Sequence, residues 1–94
     1  MINIANDKTL TLKLSEKNTV KATGDNYAGI EKDGDNSGSL IITGEDNGEL
    51  KATGGTKGAG IGGGKDESGS NITIIRGTVK ATGGSGSGAG IGGG

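Results

Sequence analysis

A repeat of about 30 residues organises this sequence. The tetrapeptide Lys-Ala-Thr-Gly occurs at residues 21–24, 51–54 and 80–83. A second marker, Ala-Gly-Ile, occurs at residues 28–30, 59–61 and 89–91, with nearly the same spacing. Because two unrelated markers keep the same period, they identify three copies of one structural unit.

Each copy contains segments with the alternation of β-strands. Residues 9–14 alternate Thr or Lys with Leu, and similar runs occupy residues 39–43 and 71–75. After a turn of variable length, a second alternating segment follows at residues 19–23, 49–53 and 78–82. Its Val or Leu and its Ala point inward, and its Thr or Glu, Lys and Thr point outward. Ala-Gly-Ile is predicted to form a third, very short element.

Disorder is the alternative to a repetitive fold. The chain of 94 residues has 23 glycines, 28% hydrophobic residues and a single aromatic residue, Tyr27, and such composition is typical of chains that cannot bury a core. The glycines cluster at the predicted corners, however, as at residues 62–64 and 92–94. Sharp turns and close backbone approach need glycine at such places, so its placement favours the ordered repeat.

Three short strands per copy cannot each bury their own inner face, so the copies must stack. We therefore predict an all-β parallel β-helix of about three coils, each of roughly 30 residues and three short strands. Residues 1–94 form a single solenoid domain, with coils at about 8–34, 35–65 and 66–94. A right-handed coil is expected, because parallel β crossovers have that hand.

The last copy ends inside its motif, and no polar cap is evident at either end. We therefore expect a fragment of a longer repeat protein, with end-to-end or lateral association between copies of the chain. Lateral packing is expected on an outer face left bare by Gly29, Gly60 and Gly90.

Three segments carry a resemblance to known proteins. They are Ser-Gly-Ser-Leu-Ile-Ile-Thr-Gly at residues 37–44, Lys-Ala-Thr-Gly-Gly at 51–55 and Gly-Ala-Gly-Ile-Gly-Gly-Gly at 58–64. Over residues 8–94 the chain resembles the glycine-rich tandem repeats of bacterial secreted and cell-surface proteins, in particular carbohydrate-binding, pectate-lyase-like β-helix proteins. The resemblance implies an extracellular or cell-surface location and a polysaccharide-binding or adhesin role, although this stretch carries no secretory signal.

Stacking of the copies places like residues above one another at about 4.8 Å. Neighbouring ammonium groups then repel by roughly 1 kcal/mol per pair in water, and an acidic polysaccharide would relieve this repulsion. We therefore expect a non-catalytic extracellular binding module. Its candidate ligand-binding residues are Lys21, Lys51, Lys80, Thr23, Thr53 and Thr82.

Other interpretations of these columns remain open. The lysines can simply extend into water and block edge pairing, in a structural spacer or self-assembling fibre unit of a surface adhesin. An aligned Thr row is also found in ice-binding solenoids, although charged lysines beside it argue against that function.

The residue inventory argues against catalysis. The chain has no His and no Cys, which removes the usual zinc ligands, thiol chemistry and most general bases, so no enzyme is expected. Asp33 and Asp35 are weak candidates for a Ca²⁺ site, but acidic residues in turns often serve only the turn. A formal net charge of −1 and the lack of long apolar runs predict neither nucleic-acid binding nor membrane insertion.

Overall fold

The computed structural model describes residues 2–33, 37–86 and 88–94. None of these residues belongs to a helix long and apolar enough to cross a membrane. The strands are β1 (Ile2–Asn3), β2 (Thr9–Leu14), β3 (Lys17–Lys21), β4 (Ile30–Glu31), β5 (Ser39–Gly44), β6 (Glu49–Thr53), β7 (Ile61–Gly62), β8 (Ile72–Ile74), β9 (Thr78–Thr82) and β10 (Ile91–Gly92).

The strands form three sheets, which the chain visits in turn. The orders are β1-β4-β7-β10, β2-β5-β8 and β3-β6-β9, and every neighbouring pair is parallel. This arrangement confirms the predicted all-β parallel β-helix of three coils with three short strands per coil. The predicted bounds of the first segment of copy one, residues 9–14, match β2.

Columns of aliphatic side chains fill the interior. Ile2, Ile30, Ile61 and Ile91 stand in register in the four-stranded sheet. Ile30 and Ile61 are 0% exposed, whereas Ile91 at the end of the column is 47% exposed. Burial therefore comes from the coil above and the coil below, so an end coil is only half covered.

The sheet β2-β5-β8 supplies two more columns. Leu40 lies between Leu10 and Ile72, and Ile42 lies between Leu12 and Ile74. The central residue of each column is 0% exposed. Outward residues of the same strands alternate with these, as the period-2 pattern of the sequence predicts.

The first coil differs from the predicted register by two residues. The shared tetrapeptide places Lys21 over Lys51, but in the structure Thr19 lies opposite Lys51 and Lys21 lies opposite Thr53. Turn length is the physical reason: two residues, 15–16, join β2 to β3, whereas four, 45–48, join β5 to β6. A slip of two residues leaves every side chain on its original face, and Val20 still faces inward opposite Ala52.

The glycines of the Ala-Gly-Ile marker contradict the expected bare outer face. Gly29 and Gly60 are buried. A Cβ at Gly29 would lie 2.8 Å from the carbonyl oxygen of Gly60 and 2.9 Å from that of Thr53. Gly29 and Gly60 therefore allow neighbouring coils to approach closely and do not form a bare outer face. Gly90, in the last coil, is half-buried, and lateral association of copies stays a prediction.

Candidate functional site

The outer face of the sheet β3-β6-β9 carries most of the residues predicted to bind a ligand. Alternation along each strand points these side chains away from the core. We call this surface the basic face. Its residues are Lys17, Thr19, Lys21, Glu49, Lys51, Thr53, Thr78, Lys80 and Thr82.

The structure confirms part of the predicted lysine column and corrects the rest. Lys51 lies opposite Lys80, and Thr53 lies opposite Thr82. Lys21 is opposite Thr53 and therefore diagonal to Lys51. With strands about 4.8 Å apart and a rise of about 3.3 Å per residue, this diagonal between Cα atoms is about 8 Å. The lysines consequently form a bent track, Lys21–Lys51–Lys80, which we call the lysine track.

Thr23 lies outside the sheet. The strand β3 ends at Lys21, and Thr23 is an exposed residue of the bend that follows. The predicted threonine column is therefore reduced to Thr53 and Thr82, with Lys21 in the position expected for Thr23.

An exposed ion pair joins two residues of the basic face. Oε1 of Glu49 lies 3.5 Å from Nζ of Lys80, and the two side chains are 27% and 64% exposed. An ion pair open to solvent contributes about 0 to 1 kcal/mol. Within the described part of the chain Lys51 has no ion-pair partner. The face is thus locally positive on a chain whose formal net charge is −1.

Of the two weak candidates for a Ca²⁺ site, the structure describes Asp33 alone. The carboxylate of Asp33 accepts a hydrogen bond from the backbone N–H of Gly64 at 3.1 Å, and Asp35 lies outside the described residues. Within the residues that the structure describes, no cluster of three or more His, Cys, Asp or Glu side chains could hold a metal ion. Ca²⁺ binding stays a prediction.

The structure reveals a charged segment that the sequence reasoning missed. Residues 31–33, Glu-Lys-Asp, come directly after the first Ala-Gly-Ile marker, where the later copies have Gly-Gly-Gly. Glu31 is opposite Gly62. Glu31 is 6% exposed and Lys32 is 0% exposed. Asp33 is half-buried, and we call these three residues the charged triplet. An alignment of the three residues after each Ala-Gly-Ile marker would have found it.

Hydrogen bonds make burial of Lys32 tolerable. Its Nζ donates to the carbonyl oxygen of Asp33 at 2.8 Å and to Oγ of Ser70 at 3.3 Å. Burying an ammonium without such partners costs several kcal/mol. The bond to Ser70 joins the loop after β4 to the loop after β7, so the triplet links successive coils.

Glu31 is held by two donors within the same region. Its Oε1 accepts from the backbone N–H of Ala28 at 3.3 Å, and its Oε2 accepts from Nδ2 of Asn3 at 3.4 Å. Glycine at position 64 leaves room for the carboxylate, since a Cβ there would collide with it. Burial raises the pKa of Glu31, and the negative charges of Asp33 and Glu67 add to the rise, while the bond from Ala28 opposes it.

Replacement of Glu31 by Gln tests the charge of this carboxyl group. The pKa is raised above its ordinary value of 4.5, so the folded protein binds the proton more tightly than the unfolded chain does. The stabilisation is fully present below about pH 4.5 and is lost as the pH rises through the raised pKa. The free energy of unfolding of the wild type minus that of Glu31→Gln should therefore fall as the pH rises above about 4.5. Urea unfolding at several pH values measures this difference, and a difference that is constant or rises would contradict the assignment.

The sequence matches no model of a known protein family, and no significant similarity is found to curated proteins or to solved structures. The likeness of its glycine-rich repeats to pectate-lyase-like β-helix proteins accordingly stays a resemblance.

Proposed function

We propose that this chain is a non-catalytic module that binds an acidic polysaccharide through the basic face. The observation that carries the proposal is the lysine track, in which Lys51 stands in register with Lys80 and Lys21 lies one diagonal step away. Like charges placed this close repel one another. A polyanion laid across the track removes that repulsion and gains attraction.

A parallel sheet suits a linear polymer. Its outward side chains stand about 4.8 Å apart across strands and about 6.6 Å apart along them, and the backbone ladder keeps them in place. Each exposed contact contributes about 1 kcal/mol or less, so a short oligosaccharide binds weakly. A polymer that meets several lysines at once gains from effective concentration.

Threonine hydroxyls complete the proposed site. Thr82 is exposed and Thr53 is half-buried beside the track. A hydroxyl provides one donor and two acceptors, which match the hydroxyl groups and ring oxygens of a sugar. The lysine ammonium groups thus attract the acidic groups of the ligand, and the threonine hydroxyls form hydrogen bonds with its neutral polar groups.

A binding role fits the carboxylates of the basic face better than a hydrolytic one. Glycoside hydrolysis commonly uses two carboxyl groups on either side of the scissile bond. Among the described residues of this face the single carboxylate is that of Glu49, which is paired with Lys80. We place the module outside a bacterial cell, on a secreted or cell-surface protein, because its repeats resemble those of such proteins.

Neutralising the track tests the proposal. The triple variant Lys21→Gln, Lys51→Gln, Lys80→Gln should bind polygalacturonate at least about tenfold more weakly than the wild type, since three contacts of about 0.5 to 1 kcal/mol are lost. Isothermal titration calorimetry at low salt measures the affinity, and wild-type binding should weaken as salt is added.

The matched control removes the same charge elsewhere. Lys8, Lys13 and Lys65 are exposed and lie off the basic face, so their triple replacement by Gln changes the net charge equally. This variant should bind nearly as well as the wild type. Equal loss in both variants would show a non-specific charge effect and would overturn the assignment to the basic face.

A second function is favoured by the open ends of the β-helix. At the C-terminal end the exposed fractions are 41% for Ile74, 66% for Ile75 and 47% for Ile91. At the other end, Ile2, Ile4 and Leu10 help to line an open cavity of about 320 Å³. Both ends present apolar side chains and unpaired strand edges. We propose, as the alternative function, a structural or self-assembling unit in which copies stack end to end.

A charge placed at one end tests such assembly. Ile74→Lys puts an ammonium group at the end of an interior column, where a stacked copy would desolvate it. Thr73→Lys on the same strand is the control, because Thr73 is exposed and lies on the opposite face. Sedimentation of the wild type should show association that rises with concentration, unchanged by Thr73→Lys and lost in Ile74→Lys. A wild type that stays monomeric at millimolar concentration would rule out this alternative.

A further inference from the structure

Tyr27 is the only aromatic residue of the sequence, and it is 48% exposed. Aromatic side chains contribute most to stability when they are buried, yet the core of this protein is built from aliphatic residues alone. Tyr27 precedes the first Ala-Gly-Ile marker, and the later copies have Gly58 and Gly88 at that position. The aromatic ring is thus a feature of the first coil that the repeat itself does not require.

The ring rests against Gly24. A Cβ on Gly24 would lie 2.6 Å from Cδ2 and 2.8 Å from Cε2 of Tyr27, so a side chain at position 24 would displace the ring. The backbone N–H of Tyr27 donates to the carbonyl oxygen of Gly24 at 3.4 Å. The lack of a side chain at Gly24 therefore makes room for one edge of the ring.

The second coil fixes the backbone beneath this ring. The carbonyl oxygen of Tyr27 accepts a hydrogen bond from the backbone N–H of Gly55 at 2.9 Å. A Cβ at Gly58 would collide with the same carbonyl group. Because the residue is held on both sides, little further ordering is needed when a ligand packs on its exposed surface.

The backbone of Tyr27 lies close to the ends of two strands of the basic face. Gly55 follows Thr53 by two residues, which span at most about 7 Å of extended chain. Gly24 follows Lys21 by three residues, and between them the N–H of Ala22 donates to the carbonyl oxygen of Thr53 at 2.9 Å. The backbone of Tyr27 therefore lies beyond the ends of β3 and β6, the strands that carry Lys21 and Thr53.

We propose that Tyr27 is a stacking platform for a sugar ring of the polysaccharide bound by the basic face. This inference rests on the proposed function and specifies its ligand as a linear acidic polysaccharide of pyranose rings. One ring packs its C–H face against Tyr27, and the acidic groups of the following sugars cross from Lys21 towards Lys80. The aromatic contact lies at one end of the track, so it gives the bound polymer a defined position.

The chemistry of the two partners supports this arrangement. The face of an aromatic ring is electronegative and apolar, which suits the C–H groups on one face of a pyranose. The phenolic hydroxyl can donate or accept a hydrogen bond. Lysines alone attract any polyanion, whereas the ring distinguishes a polymer of sugars from a polymer with the same charge and no rings.

The intrinsic fluorescence of the wild-type protein gives a direct test. With no Trp in the chain, its aromatic emission comes from Tyr27 alone. Titration with polygalacturonate should change this emission along the same curve that calorimetry gives for binding. Titration with polyacrylate, a polycarboxylate without sugar rings, should give a calorimetric binding curve and leave the emission nearly unchanged.

Substitution of Tyr27 gives the second test. Tyr27→Ala should weaken polygalacturonate binding about tenfold, because an aromatic contact worth about 1.4 kcal/mol is lost. Polyacrylate binding should stay nearly unchanged, and Tyr27→Phe should bind nearly as the wild type does. Thermal unfolding of each variant shows whether the fold is kept. If Tyr27→Ala is unfolded, the wild-type emission and the affinity of Tyr27→Phe decide whether Tyr27 contacts the bound sugar.

The failure of this inference is distinguishable from failure of the proposed function. Wild-type binding that depends on the lysine track, without an emission change and without an effect of Tyr27→Ala, would overturn the platform and leave the binding function standing. A wild type that binds neither polymer would overturn both.

Discussion

Contact between aliphatic side chains of successive coils is the interaction on which this β-helix depends. A single coil has too few apolar residues to enclose anything, and its three strands form no sheet until a second coil pairs with them. Leu40, Ile42 and Ile61 are fully buried because each has a neighbour on both sides in its column. The backbone ladders and the glycine corners bring these neighbours into contact.

The inward or outward direction of side chains is the part of the structure that sequence predicts best. Period-2 alternation places Leu12 and Ile42 inside and Lys51 and Lys80 outside, and the structure agrees. The parallel stacking of three copies is equally predictable from the sequence, because stacking is what covers so thin a core. Neither inference depends on the exact alignment of one copy with the next.

The register of the first coil could not be obtained from the same pattern. Identical tetrapeptides align Lys21 with Lys51, yet turn length sets the actual pairing of Lys21 with Thr53. A two-residue slip keeps every residue on its face, so hydrophobic alternation gives no warning of it. The charged triplet was not predicted for a related reason. Charged residues in a predicted turn are ordinarily solvated, and only the stacked neighbours around Lys32 show that it is enclosed.

The charged residues of the first coil thus have separate roles. Glu31 and Lys32 are used inside, where hydrogen bonds join neighbouring loops. Lys21 lies on the outer face, three residues before Gly24, against which the ring of Tyr27 packs. A locally positive surface on a chain of slightly negative charge is the basis of the proposed binding to acidic polysaccharide.

The pairing of β3 with β6 tests the stacked architecture most directly, and NMR can observe it in the unmodified protein. Scalar coupling across hydrogen bonds links a donor nitrogen to the acceptor carbonyl carbon. The structure predicts coupling from the amide nitrogen of Ala22 to the carbonyl carbon of Thr53, which are joined by a bond of 2.9 Å between nitrogen and oxygen. Coupling to the carbonyl of Lys51 would show the register of the repeated tetrapeptide instead. A rapidly exchanging amide without any coupling would contradict the coiled stack itself.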